Sequence, residues 1–263
     1  MNYDRCALII PSTVHVSASH TILVDPEERR EQYIDAISFF ITKSPLTRII
    51  VCDNSGFRYS EAFYDLALSY NKEIELLSFH GNDELVAKYG KGYGEGEIMQ
   101  FVLSNSSLIK SVDGFLKVTG RLKVANVGKL LRHCNHGENY FNPISLLRPR
   151  FMAPKAARCC VDTRVYYSTK KFFRDILLDA YKEVRDNNVF FLEHAYHKAI
   201  ADSTVKVKCF PVAPEITGVS GSNGWIFKER GLTKKLLIRI VSFLGYIRPI
   251  YYSSDRKKKE PIV

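Results

Sequence analysis

CALIIPS, residues 6 to 12, sets the reading of the fold. It is a short apolar run that ends at Pro11 and Ser12, and it reads as a buried strand. The chain on its C-terminal side then alternates. PEERREQYIDAISFFITKS has Tyr33, Ile37, Phe40 and Ile41 near helical spacing, with Glu27 and Glu28 in the first turn, where the helix dipole favours acids. TRIIVCDNSG is a second buried strand, ending in Asp53, Asn54, Ser55 and Gly56. SEAFYDLALSYN is a helix with Ser60 at its N-cap, and IELLSFHG is a third strand. A glycine-rich stretch follows, then the helix EIMQFVLSNSSLI and a fourth strand, GFLKVTGRL. This order predicts a doubly wound, mostly parallel α/β sheet. Ligands bind such sheets at the carboxyl ends of the strands. By that rule Ser12, Asp53 to Ser55, the glycine-rich stretch and Lys117 to Arg121 lie near one another.

The glycine-rich stretch is KYGKGYGEGEI, residues 88 to 98. With four glycines and almost no apolar residue it reads as a loop rather than a packed helix or strand. Its glycines let backbone N–H groups approach a ligand closely, and Lys88 and Lys91 suit a phosphate. Two readings of Glu95 and Glu97 stand. The carboxylates accept from sugar hydroxyls, or they favour the N-terminus of the next helix. There is no Walker A pattern, and the glycines do not directly follow the first strand, as a dinucleotide fingerprint requires.

Beyond residue 124 the pattern is weaker. RCCVDTRVYYS reads as a strand. KKFFRDILLDAYKEVRDNN and FFLEHAYHKAIAD read as helices, and VKVKCFPVAPEITG as an alternating edge strand. GVSGSNGW reads as a flexible loop. The 263 residues, 46% of them apolar, are enough for one large domain with a real core. We place that domain at residues 1–227, with a ligand half up to about residue 125 and a second half from 126.

Charge is uneven. The formal balance is +10, and residues 228–263 hold ten Lys/Arg against three Asp/Glu, which leaves the body near neutral. A nucleic-acid binder spreads its basic residues over a folded face, so nucleic acid is not an expected partner. In KKLLIRIVSFLGY, Lys235, Arg239, Ser242 and Tyr246 form a polar stripe on an otherwise apolar helix, and RKKK follows at 256–259. That combination suits an anionic membrane surface. No signal peptide and no membrane span is expected, so the expected location is cytoplasmic, on the inner face of the membrane. The six cysteines form no C-x-x-C pair and read as buried thiols. His133, Cys134 and His136 lack a second cluster at zinc spacing, so no metal site is expected there.

CALIIPS followed one helix later by RIIVCDNSG resembles the opening of GT-A-type glycosyltransferases. KGYGEGEI and FLKVTGRL are similar to bacterial surface-polysaccharide transferases of that broad type. The resemblance covers roughly residues 6 to 125. It implies a nucleotide-sugar donor, with Asp53 and Asn54 at the nucleotide. Pro11, Ser12, Lys91, Gly92, Gly94, Glu95, Lys117, Thr119 and Arg121 complete the implied donor site. The family's metal-binding Asp-x-Asp is absent from the whole chain. Lys117 and Arg121 stand where the family is anionic, and fixed cations stabilise a leaving diphosphate as a metal does. The expectation is therefore a metal-independent enzyme with no cofactor, acting on a lipid-linked or lipopolysaccharide acceptor. Inverting transfer needs a base for the acceptor hydroxyl. Glu193 is the first candidate, Asp162 the second, and Glu97 a further one. Two other classes compete: a nucleotidyltransferase, which normally needs metal-binding acids, and a non-catalytic nucleic-acid binder.

Overall fold

The computed structural model describes residues 3–16, 23–143, 160–219 and 226–227. Of the loop expected at 218–225, Gly218 and Val219 end a strand, and residues 220–225, like the basic tail at 228–263, lie outside the described residues.

A six-stranded sheet forms the middle layer, in the order β3-β2-β1-β4-β7-β6. β1 (Cys6–Ser12), β2 (Arg48–Asp53), β3 (Glu73–Ser78) and β4 (Gly114–Val118) are mutually parallel. β6 (Tyr140–Pro143) and β7 (Val161–Thr169) complete it, and β7 runs antiparallel to both β4 and β6. The sheet is thus mostly parallel, as the strand–helix alternation requires. A smaller antiparallel sheet joins β5 (Leu122–Val124), β8 (Ile216–Val219) and β9 (Ile226–Phe227).

All seven residues of β1 are buried, because both of its faces carry helices. Leu8 and Ile10 face a core shared with α1 (Pro26–Lys43), α2 (Ala62–Ser69) and α6 (Val127–Arg132). Ala7 and Ile9 face a second core shared with α4 (Lys91–Asn105), α5 (Ser107–Lys110) and α7 (Leu192–Asp202). α1 begins where its sequence says. Asp25 accepts from the Glu27 N–H at 2.9 Å, and Pro26 occupies the first helical position.

Four expectations need correction. The first is the glycine-rich stretch, which is helical. α3 (Asp83–Tyr89) ends at Gly90, at φ +111°, and α4 starts at Lys91. The glycines serve close packing. A Cβ at Gly92 would lie 2.9 Å from Leu192 Cβ, one at Gly94 3.0 Å from Asn54 Nδ2, and one at Gly96 2.0 Å from Tyr181 Cγ. Each glycine costs the helix about 1 kcal/mol, and the tight approach of α7 and of Tyr181 offsets it.

Second, the single helix expected over residues 170–188 is broken. A π-turn at Phe173–Leu177 is followed by two 3-10 turns, and the Leu178 N–H reaches the Phe173 carbonyl at 2.8 Å. The extra residue in that turn accompanies the burial of Phe172, Phe173, Leu177 and Tyr181 in one core. Third, in the stretch 205–218 only residues from Ile216 onward form a strand, while Lys208 makes an isolated bridge to Tyr140. Fourth, α2 starts at Ala62 with Glu61 at its cap position, and Ser60 accepts from the Ala62 N–H at 3.2 Å.

Candidate active site

A cavity of about 240 Å³ opens at the carboxyl ends of the parallel strands. Pro11 and Thr13 reach it from the end of β1, and Asn54 from the end of β2. Lys91, Gly92, Gly94 and Glu95 line it from the first turns of α4. Thr119 and Arg121 come from the turn after β4, Thr163 and Arg164 from β7, and Glu193 from α7.

The α1 side of the cavity is cationic. Arg29 and Arg121 are 4% and 8% exposed. Each guanidinium lies 5.8 Å from the centre of the Tyr33 ring. Neither has an ion-pair partner among the described residues. Arg29 donates to the Thr13 carbonyl at 2.9 and 2.6 Å and to the Leu23 carbonyl at 2.9 Å. Burial pulls its pKa down and the nearby Arg121 charge acts in the same direction, while Tyr33 and the Asp53 carboxylate oppose them. Two buried like charges side by side are costly, and an anion between them would relieve that cost.

The α4 and α7 side holds two carboxylates, Glu95 and Glu193, together with Lys91. Glu95 meets the Lys117 ammonium at 2.5 Å. Glu193 accepts from Thr163 Oγ1 at 3.0 Å. Burial pushes the Glu193 carboxyl above its ordinary range, and the charge of Glu95 adds to this. A hydrogen bond from its own backbone N–H, the Lys91 charge and the hydrogen bond from Thr163 pull the other way. A carboxyl so placed is suited to take up a proton.

Several residues expected at the ligand are elsewhere. Asp53 is fully buried and does not line the cavity. Its Oδ1 accepts from the Ser55 N–H (2.7 Å), Ser55 Oγ (2.6 Å) and the Phe57 N–H (3.2 Å). Its Oδ2 accepts from Ser12 Oγ (2.9 Å) and the Val14 N–H (3.0 Å). Asp53 therefore fastens the loop after β1 to the loop after β2, with Ser12 as one of its donors. Lys117 is fully buried in β4, and its contacts are Glu95, Thr119 Oγ1 at 3.1 Å and the Thr163 carbonyl at 2.7 Å. All three ammonium donors are thus used, which corrects the expectation of a direct diphosphate contact. Glu97 lies outside the cavity lining and accepts from the Asn82 N–H at 3.3 Å. Asp162 is held by Arg164 through bonds of 2.8 and 2.6 Å and also stands outside the lining.

Asn54 links three elements: it accepts from Thr13 Oγ1 at 2.7 Å and donates to the Gly94 carbonyl at 3.4 Å. Arg29 escaped the sequence reading because it sits in a run of charged residues. Its signal was its place four residues before Tyr33, on the buried stripe of α1.

Among the described residues no three His, Cys, Asp or Glu side chains gather as a metal site. Of the nearby acids, Asp53 is enclosed by five hydrogen bonds and Glu95 is joined to Lys117.

No family model matches the chain, and no curated protein matches it by sequence. Solved structures do resemble it. The glycosyltransferase GlyE of Streptococcus pneumoniae TIGR4 is 12% identical, with a TM-score of 0.43 over 74% of this chain. This chain spans only 42% of that protein. Core-mannan synthase A of Aspergillus fumigatus, in its Mn/GDP form, is 10% identical, with a TM-score of 0.44 over 92% of this chain and 85% of its own. HddC of Yersinia pseudotuberculosis is 10% identical, with a TM-score of 0.39 over 81% of this chain and 92% of its own. At these scores the likeness is distant.

Proposed function

We propose that the protein is a glycosyltransferase that takes a sugar from a nucleotide-sugar donor. The observation that supports this best is that one cavity holds two buried arginines and two carboxylates. Arg29 and Arg121 stand on the α1 side, and Glu95 and Glu193, with Lys91 beside them, on the α4 and α7 side. A nucleoside diphosphate sugar has the matching form, an anionic diphosphate joined to a neutral, hydroxyl-rich ring.

In this reading Arg121 contacts the diphosphate, and Arg29, whose donors are mostly spent on Thr13, Leu23 and Tyr33, adds its charge from behind; together they stabilise the charge the diphosphate gains on leaving. Glu95 accepts from hydroxyls of the sugar. Glu193 takes the proton of the acceptor hydroxyl as its oxygen bonds to the anomeric carbon. The bond from that carbon to phosphate breaks, and its electron pair leaves with the nucleoside diphosphate. Arginines at the diphosphate let the reaction run without a divalent metal. The acceptor is a lipid-linked or lipopolysaccharide glycan of bacterial surface-polysaccharide synthesis, and the basic tail holds the protein against the anionic inner membrane surface. The charge pattern of residues 228–263 supports that last part. Among the described residues no helix is long and apolar enough to cross a membrane.

A thermal-shift screen of nucleoside diphosphates and nucleotide sugars, with and without EDTA, tests the proposal. A ligand that binds only the folded state raises its melting temperature. At least one nucleotide sugar should do so in EDTA. Stabilisation only by a nucleoside triphosphate with metal would favour nucleotidyl transfer instead.

A further inference from the structure

We infer that Lys117 is a positioning residue, which holds the α4 and α7 side of the cavity in place from beneath without meeting the ligand. Lys117 lies on the face of β4 that carries Phe115, turned towards α4 and α7. It is fully buried, and its ammonium ties together three residues that line the cavity. These are Glu95 of α4 at 2.5 Å, Thr119 after β4 at 3.1 Å and Thr163 of β7 at 2.7 Å. Thr163 in turn donates to Glu193 at 3.0 Å. One buried cation thus sets the separation of α4, the β4 turn and β7, and through them the relative places of Glu95 and Glu193. A lysine is costly in a core unless it is paired and hydrogen-bonded, and here every donor is spent on a cavity residue. The inference rests on the sugar-transfer reading only for the identity of the ligand.

The charge that Glu193 senses follows from the same contacts. Glu95 and Lys91 face it from α4, Arg164 shares its field from β7, and Tyr196 lies one turn along its own helix. Glu183, on the turn packed against α7, is paired with Lys198. While Lys117 balances Glu95, Glu193 feels that neighbour in part; without Lys117 it feels the whole charge.

The test is a carbon-detected NMR titration of the Glu193 carboxyl in the full chain, assigned with Glu193→Gln. It compares the wild type, Lys117→Met and the double variant Lys117→Met/Glu95→Gln, with melting temperatures alongside. Lys117→Met should lower the melting temperature by about 5–10 °C, allowing for the part of Glu95 that meets solvent. It should also move the Glu193 midpoint up. The double variant removes both charges. It should regain at least half of the lost stability and bring the midpoint below that of the wild type. A Glu193 midpoint identical in all three proteins, or a double variant no more stable than Lys117→Met, overturns the inference. No substrate enters this titration, so its outcome is separate from that of the nucleotide-sugar screen, whose failure would defeat the sugar-transfer reading alone.

Discussion

Replacing Arg121 by Gln should weaken ligand binding while leaving the empty protein as stable as before. In the empty cavity the Arg121 guanidinium has one side-chain hydrogen bond among the described residues, to Gln32 Oε1 at 3.3 Å. It also has the Tyr33 ring at 5.8 Å. Together these contribute about 1–2 kcal/mol. Against them stands repulsion from buried Arg29, on the order of 1–2 kcal/mol at an effective dielectric constant of about 20. The two nearly cancel, so urea unfolding of Arg121→Gln should give a stability within about 1 kcal/mol of wild type. With a nucleoside diphosphate bound, the lost contact is charge-assisted and worth about 1.5–3 kcal/mol. Calorimetric titration should then show Kd raised by about 10- to 150-fold. A variant that binds within about threefold of wild type would refute the reasoning. So would one destabilised by about 3 kcal/mol, which would make Arg121 a structural residue.

Three further outcomes are expected. The folded protein keeps the Glu193 proton at pH values where the unfolded chain has released it, so stability should fall as pH climbs from the unfolded carboxyl range, near pH 4, through the raised folded value. Urea midpoints across pH should lose that segment in Glu193→Gln, and identical pH profiles would contradict it. Gly96→Ala, which sets a Cβ 2.0 Å from Tyr181 Cγ, should cost about 1–3 kcal/mol in unfolding experiments despite its better helix propensity. A neutral or stabilising result would mean that α4 shifts freely. Ending the chain at Lys228 should abolish cosedimentation with anionic vesicles and spare donor binding; a truncated protein that still pellets with the vesicles counts against the membrane role.

The central sheet was legible because β1, β2 and β4 are apolar enough to be covered on both faces. The cavity followed from the rule for strand ends. The glycine-rich helix was not legible. Composition says only that glycine disfavours helix, while the contacts of Gly92 and Gly96 are made by Leu192 and Tyr181, about a hundred residues away. Side-chain roles divided for a similar reason. Arg121 could be placed at the strand ends and Glu193 only through the family resemblance, but Lys117 and Asp53 proved to be fully buried beneath the cavity and beside its loops. The sequence shows which charges gather at strand ends. It does not show which of them are already neutralised by one another.

The most direct measurement is the release of nucleoside diphosphate from a panel of nucleotide sugars, in EDTA, by wild type and Glu193→Gln. With a crude glycolipid acceptor fraction present, wild type should consume at least one donor. Glu193→Gln should be slower by about 10²- to 10⁴-fold and bind that donor almost as tightly. If wild type consumes none of the donors in EDTA and gains activity with Mn²⁺, the two-arginine account of the diphosphate is wrong; if none is consumed under either condition, the assignment of sugar transfer is wrong.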